Sequence, residues 1–262
     1  MVSAWKVFLF FVASVIILHV VNTRAMSVNS FSSVRAGLVL LFVFLSGCGT
    51  TKQVSDLPFH ASGMTQKGQH TRIGEKNLYS GYEPVNENGD VQVVVEIPAG
   101  TNDKWEVKKS SGNLERDFKK GKPRVVHYLA YPGNYGMIPR TLLPEELGGD
   151  GDPLDVIVLG PSVPRGTILS ARVIGMIRML DGGEQDDKLI AVMLNSHFGD
   201  INSLEALENR YKGATAILDL WFSNYKGPGI MQSGGIVAAE EAKKVLTTAI
   251  DAYDEKERSA DK

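Results

Sequence analysis

The stretch from Gly148 to Leu159 reads GGDGDPLDVIVL, three aspartates within six positions followed by an apolar run. Gly148, Gly149 and Gly151 let the backbone curl, and Pro153 stops a regular ladder. Asp150, Asp152 and Asp155 are therefore expected on a turn where a buried strand, Val156 to Leu159, begins. Repulsion among three carboxylates is a cost unless positive charge lies between them. Short oxygen-bearing arms converging on one spot suit hard divalent cations, Mg²⁺ above all, which keep several waters and are often completed by substrate phosphates. An EF-hand is excluded, because the spacing lacks that loop's sixth-position Gly and Pro161 stands where its final Glu would be. Taken alone, the six residues also read as a solvated acidic turn.

Working outward, short runs rich in Val and Ile predict strands at Val91 to Ile97, Trp105 to Val107, Val125 to Tyr131, Val156 to Leu159, Ile168 to Leu180 and Leu189 to Leu194. Gly and Pro punctuate them, as in a small barrel. Helical signals come late. Asn202 reads as a cap with Glu205 three positions on, and Ile217, Trp221 and Tyr225 share a face before Gly227 and Pro228. A last helix, from about Ala238 to Glu257, carries Ala242, Val245, Leu246, Ala249, Ile250 and Tyr253 on one stripe. The expected class is α+β, a closed β-barrel with two or three flanking α-helices.

The bulk numbers exclude other classes. With 262 residues, 43% hydrophobic and 22% charged, the chain can bury a sizeable core. A net charge of -2 gives no electrostatic footprint for nucleic acid or anionic lipid, so any bound anion must be met locally. Cys48 is the single cysteine, which rules out an intramolecular disulfide, and five scattered histidines argue against zinc.

Two apolar stretches open the chain, Val7 to Val21 and Leu38 to Leu45, both shorter than the roughly 20 residues of a bilayer crossing. The second follows Arg35 and reads as the apolar core of a signal segment. Leu45-Ser46-Gly47-Cys48 resembles the bacterial lipobox, whose cysteine receives a diacylglyceryl group before cleavage. The expectation is a signal region over 1–47, with the true start at Met26 and cleavage before Cys48. A flexible linker over 48–74 and a folded domain over 75–262 follow, lipid-anchored at the bacterial cell envelope and facing the periplasm. An uncleaved anchor built on the first stretch is the competing reading.

Beyond the aspartates, the chain from about Val91 to Tyr253 resembles the soluble family I inorganic pyrophosphatases. Their Asp-x-Asp-Pro-hydrophobic-Asp segment reads here as Asp150 to Asp155. Glu96 lies in VVVEIP, Lys104 and Glu106 in DKWEV, Arg124 in KKGKPRVV, and Tyr131 and Tyr135 in YPGNYG. Asp181, Asp186 and Lys188 lie in LDGGEQDDK, and Tyr225-Lys226 ends the penultimate helix. The resemblance implies an OB-like barrel with a five-stranded core and hydrolysis of inorganic pyrophosphate to two phosphates with several Mg²⁺ ions. Membership in a homo-oligomer is implied as well.

By the same resemblance Asp150, Asp155 and Asp186 hold the first metal, Asp155 reaches the second, and Glu96 and Asp181 help bind those arriving with substrate. Asp152 takes the proton of a water acidified between two ions. Lys104, Glu106, Arg124, Tyr135, Lys188, Tyr225 and Lys226 serve substrate binding. Seven carboxylates then face four cations, so an anionic substrate requires divalent ions to neutralise the cleft. Arg116 is the alternative to Arg124, Tyr131 reads mainly as a packing residue, and Asp187 is expected to be solvated. Two other functions stay open. One is a catalytically idle lipoprotein that binds cations, against which the retained Asp152, Lys188 and Lys226 count. The other is a hydrolase of organic pyrophosphates, for which no base-stacking segment is apparent.

Overall fold

The computed structural model describes residues 63–145 and 148–260. The signal region, Cys48 and the first part of the expected linker lie outside them. Strands β1 (Thr65–Lys67), β2 (Thr71–Ile73), β3 (Val91–Ile97), β4 (Trp105–Val107), β5 (Leu114–Arg116), β6 (Phe118–Lys119), β7 (Lys122–Pro123), β8 (Asn134–Met137), β9 (Asp155–Leu159), β10 (Ile168–Asp181), β11 (Glu184–Gln185) and β12 (Lys188–Met193) come first. Helices α1 (Leu204–Arg210) and α2 (Ala214–Asn224), strand β13 (Met231–Ala238) and helix α3 (Ala239–Ala260) complete the order.

Strands β3, β8, β9, β12 and β10 pair in that sequence, and β10 returns to β3, closing a five-stranded barrel. The expected α+β architecture is observed, with three flanking helices among the described residues. The central strands are buried on both faces, which is why they read as continuous apolar runs rather than alternations. On β9, Val156 and Val158 join a core with Ala242, Leu246 and Ala249 of α3, while Ile157 and Leu159 join a second core with Leu218, Trp221 and Phe222 of α2. Strand β10 outruns its barrel partners, and its far half is covered by β13.

Several expectations are corrected. The linker was expected to reach residue 74, yet β1 and β2 form a hairpin that extends a four-stranded sheet through β5. Val125 to Tyr131 is not a strand. Val125 makes one bridge to Asp103, the N–H groups of Val126 and Tyr131 donate to the Asn102 and Thr101 carbonyls, and Asn102 Nδ2 donates to the carbonyls of Val126 and Tyr128 at 2.9 and 2.9 Å, so scattered contacts stand where a ladder was expected. The α1 cap is Ser203, whose hydroxyl accepts from the Ala206 N–H at 3.1 Å, rather than Asn202. Ile217 is 60% exposed, because α2 turns Leu218, Trp221 and Phe222 inward instead. Asn134–Met137, which overlaps the YPGNYG segment and lies outside the expected strands, forms β8. Gly136 lies so close to β3 that an added Cβ would stand 1.9 Å from the Val94 carbonyl oxygen, so only glycine permits that pairing.

Candidate active site

The parallel register of β9 and β12 sets Asp155 beside Lys188. The Lys188 ammonium is almost completely buried and donates to Asp155 Oδ2 at 2.6 Å and to Asp186 Oδ1. The Tyr135 hydroxyl, from β8, donates to the same Asp155 oxygen. Burial alone would lower the lysine pKa, but Asp155, Asp186 and Tyr225 outweigh it and keep the ammonium charged. Burial pushes Asp186 up, against the pull of Lys188. One monovalent cation shared by two carboxylates leaves a negative charge uncompensated.

Asp155 also lines a cleft of about 240 Å³ with Glu96, Lys104, Glu106, Lys109, Asp150 and Asp152. Asp150 turns back to accept the Asp152 N–H at 2.9 Å, which fixes the loop between them. Glu96, near the end of β3, is 5% exposed and accepts the Val107 N–H at 2.6 Å. Burial pushes its carboxyl up to about 8, against the attraction of Lys104. Asp150 is likewise raised, chiefly by burial. Lys104 lies 3.3 Å from Glu106 and 5.6 Å from the Tyr135 ring centre. Burial opposes its charge, but Tyr131, Glu106, Glu96 and Asp155 hold it protonated.

A second group stands where β10 and α2 end. Lys226 pairs with Asp181, and Tyr225 stacks on Trp221 with centroids 4.8 Å apart and planes 10° from parallel. Arg124 Nη1 donates to Asp117 at 2.9 Å and lines a cleft with Tyr225 and Lys226. Arg116 is instead engaged by Asp103 at 2.7 Å, its side chain 11% exposed, and lines no part of that cleft. Of the two arginines, Arg124 is the one that lines the cleft. Tyr131 packs against Trp221 and Tyr135, as its packing reading expects.

The expected solvated Asp187 is buried, 3% exposed, where its carboxylate accepts the Met179 N–H at 2.9 Å and the Gln185 amide at 2.6 Å. It ties the end of β10 to the loop before β12. Lys109 and Lys108 were missed. Lys109 donates to Asp152 Oδ1 at 2.6 Å and to the Gly151 carbonyl at 2.9 Å, and Lys108 pairs with Glu106 at 2.9 Å. No motif singles them out in the sequence. The sevenfold-against-fourfold charge balance is correspondingly softened.

Among the described residues no three His, Cys, Asp or Glu side chains are gathered closely enough to hold a metal ion. Lysine ammoniums stand against Asp152, Asp155, Asp186 and Asp181. The donor chemistry nonetheless fits divalent cations. Hard oxygens predominate, and Glu96, Asp150 and Asp186 are carboxyls whose ionised form burial disfavours until stronger positive charge arrives.

A family model described as inorganic pyrophosphatase matches residues 93–254. Soluble inorganic pyrophosphatase 2 of Chlamydomonas reinhardtii is 37% identical over 180 residues, covering 63% of this chain and 81% of that protein. Inorganic pyrophosphatase 1 of Caenorhabditis elegans is 37% identical over 163 residues, 55% of this chain, but only 38% of that relative's length is spanned. The crystal structure of type I inorganic pyrophosphatase from Toxoplasma gondii superposes with a TM-score of 0.67 at 26% identity, covering 73% of this chain and 97% of that one. The barrel, the carboxylate cleft and these matches lead to one conclusion: the chain belongs to the soluble type I inorganic pyrophosphatase family.

Proposed function

We propose that the protein hydrolyses inorganic pyrophosphate to two phosphates with several Mg²⁺ ions. The observation that carries this reading is the gathering of Glu96, Lys104, Glu106, Asp150, Asp152 and Asp155 around one cleft, with Asp155 joining it to Tyr135 and Lys188. Asp150, Asp155 and Asp186 would hold the first ion, Asp155 would also reach a second, and Glu96 and Asp181 would receive those that come with substrate. Bound there, the ions supply Lewis-acid neutralisation of phosphoryl oxygens and acidify water.

The side chains do the rest. Asp152, its side chain 59% exposed, accepts the proton of the attacking water. The water oxygen bonds to one phosphorus in line with the bridging oxygen, whose bond breaks and whose electrons leave with the second phosphate. Lys104, held by Glu106, and Arg124, Tyr135, Lys188, Tyr225 and Lys226 donate to phosphoryl oxygens and the departing group. No covalent nucleophile is required. The test compares phosphate release from pyrophosphate and from a nucleoside triphosphate with Mg²⁺. Preference for pyrophosphate supports the reading, and equal or greater release from the triphosphate refutes it.

The leader extends the proposal. The signal region lies within residues 1–47 with its true start at Met26, Cys48 carries the lipid, and a tether ending before β1 holds the domain at the bacterial cell envelope, facing the periplasm. The lipobox-like Leu45-Ser46-Gly47-Cys48 behind an apolar run supports this. Self-association into a homo-oligomer belongs to the same reading. Mass analysis of the mature N-terminus should find diacylglyceryl-Cys48, and an intact residue 1 or 26 would refute the anchor.

A further inference from the structure

The cleft behind Arg124, Tyr225 and Lys226 has a volume of about 840 Å³, and Lys119, Lys122, His127, Tyr128 and Asn224 complete its polar lining. No Asp or Glu is among the residues lining it. Lys119 and Lys122 face each other directly across the β6–β7 hairpin. The turn between them is Lys120-Gly121, with φ of 54° and 74°, the positive φ at both central residues that a two-residue hairpin turn of type I′ requires. Like charges directly opposite on paired strands destabilise the pairing. Neither lysine has an ion-pair partner among the described residues, whereas Arg124 and Lys226 on the same wall are engaged by Asp117 and Asp181. The hairpin therefore holds uncompensated positive charge against a hollow that has no acid of its own.

The hollow adjoins the proposed substrate-binding residues. Arg124, Tyr225 and Lys226 line it, and the Lys104 N–H donates to the Arg124 carbonyl at 3.1 Å, tying it to the carboxylate cleft. We infer that Lys119 and Lys122 form an additional phosphate subsite, which receives the third phosphoryl group of a linear inorganic oligophosphate, tripolyphosphate being the smallest. This rests on the reading of the adjoining cleft as a pyrophosphate site. A pyrophosphate held by Lys104, Arg124 and Lys226 has no third group to offer, so the hairpin lysines discriminate by chain length. His127 lines the same hollow.

The test uses the full-length protein and a K119Q/K122Q variant, with Mg²⁺. Tripolyphosphate is measured as a competitive inhibitor of pyrophosphate hydrolysis, and KM for pyrophosphate is measured alongside. Losing two charge-assisted contacts should raise the inhibition constant of tripolyphosphate roughly tenfold at low salt. The KM for pyrophosphate should change less than about twofold, and the difference between the proteins should shrink as salt screens the exposed ammoniums. Equal shifts for both ligands would show general attraction of anions and overturn the subsite, as would no shift for either. Absence of pyrophosphate hydrolysis in the unaltered protein would instead refute the catalytic reading, so the two failures are distinguishable. Circular dichroism of the variant establishes that the hairpin change has not unfolded it.

Discussion

The two clefts that flank the Lys104–Arg124 backbone contact are opposites in charge and in burial. The first gathers five carboxylates, of which Glu96 is buried, and pairs Glu106 and Asp152 with lysines that flank β4. The second presents exposed lysines on a hairpin and pairs only the cations nearest the catalytic residues. Charge held out of water costs free energy until a counter-charge arrives, so the carboxylate cleft is built to require cations. Charge left in water costs little and attracts weakly, so the lysine cleft tunes which anions come.

The sharpest break between them is at Asp152. Substituting asparagine keeps the size and the loop while removing the proton acceptor, and should cut turnover about 10²- to 10⁴-fold with little change in KM. Steady-state phosphate release checks this. Next is Lys188→Met, which deprives Asp155 and Asp186 of their shared ammonium. Stripping a buried pair of one partner should lower metal-free stability by roughly 3 kcal/mol, and Mg²⁺ should recover part of it. Urea unfolding with and without Mg²⁺ measures both. A wild-type midpoint in the variant would show that the carboxylate cleft carries no uncompensated charge.

On the other side, Arg124→Gln removes a charge-assisted donor that is partly exposed, so KM for pyrophosphate should rise about tenfold and the penalty should fall with added salt. The smallest effect concerns Asp103, outside both clefts. Its hydrogen bond to Arg116 holds the carboxyl below its usual 3.8. The stabilisation is present above the unfolded value and is lost as pH falls through the lower folded one. Asp103→Asn should therefore cost a few tenths of a kcal/mol at neutral pH, given the exposure of the pair, and nothing at about pH 2. Thermal unfolding across that pH range resolves it.

The carboxylate cleft was legible in the sequence because its residues sit in local runs that carry their own geometry. Asp150, Asp152 and Asp155 announce a turn by their glycines and proline, and Lys104 stands just before a three-residue strand whose centre is Glu106, two positions on. What escaped was set by tertiary approach. Asn134–Met137 carries an Asn and a Gly that read as turn, yet Asn134 is fully buried because its amide bridges Ala99, Pro161 and Val163 at 2.8 to 3.2 Å. Met231–Ala238 contains Ser233, Gly234 and Gly235 and has little strand propensity. It becomes β13 because the long overhang of β10 offers unpaired backbone groups to satisfy. Asp187 escaped for a related reason. Nothing local distinguishes it from Asp186, and only the closing of the β10–β12 turn makes its carboxylate an internal acceptor.

The central claim is that a surplus of buried and half-buried carboxylates makes divalent ions indispensable to handling an anionic substrate. The most direct measurement is phosphate release from pyrophosphate by the purified full-length protein as Mg²⁺ is titrated into chelator-treated samples. Release should be indistinguishable from background after chelation and return steeply as Mg²⁺ is restored. Undiminished release after chelation, or none at saturating Mg²⁺, would contradict the claim.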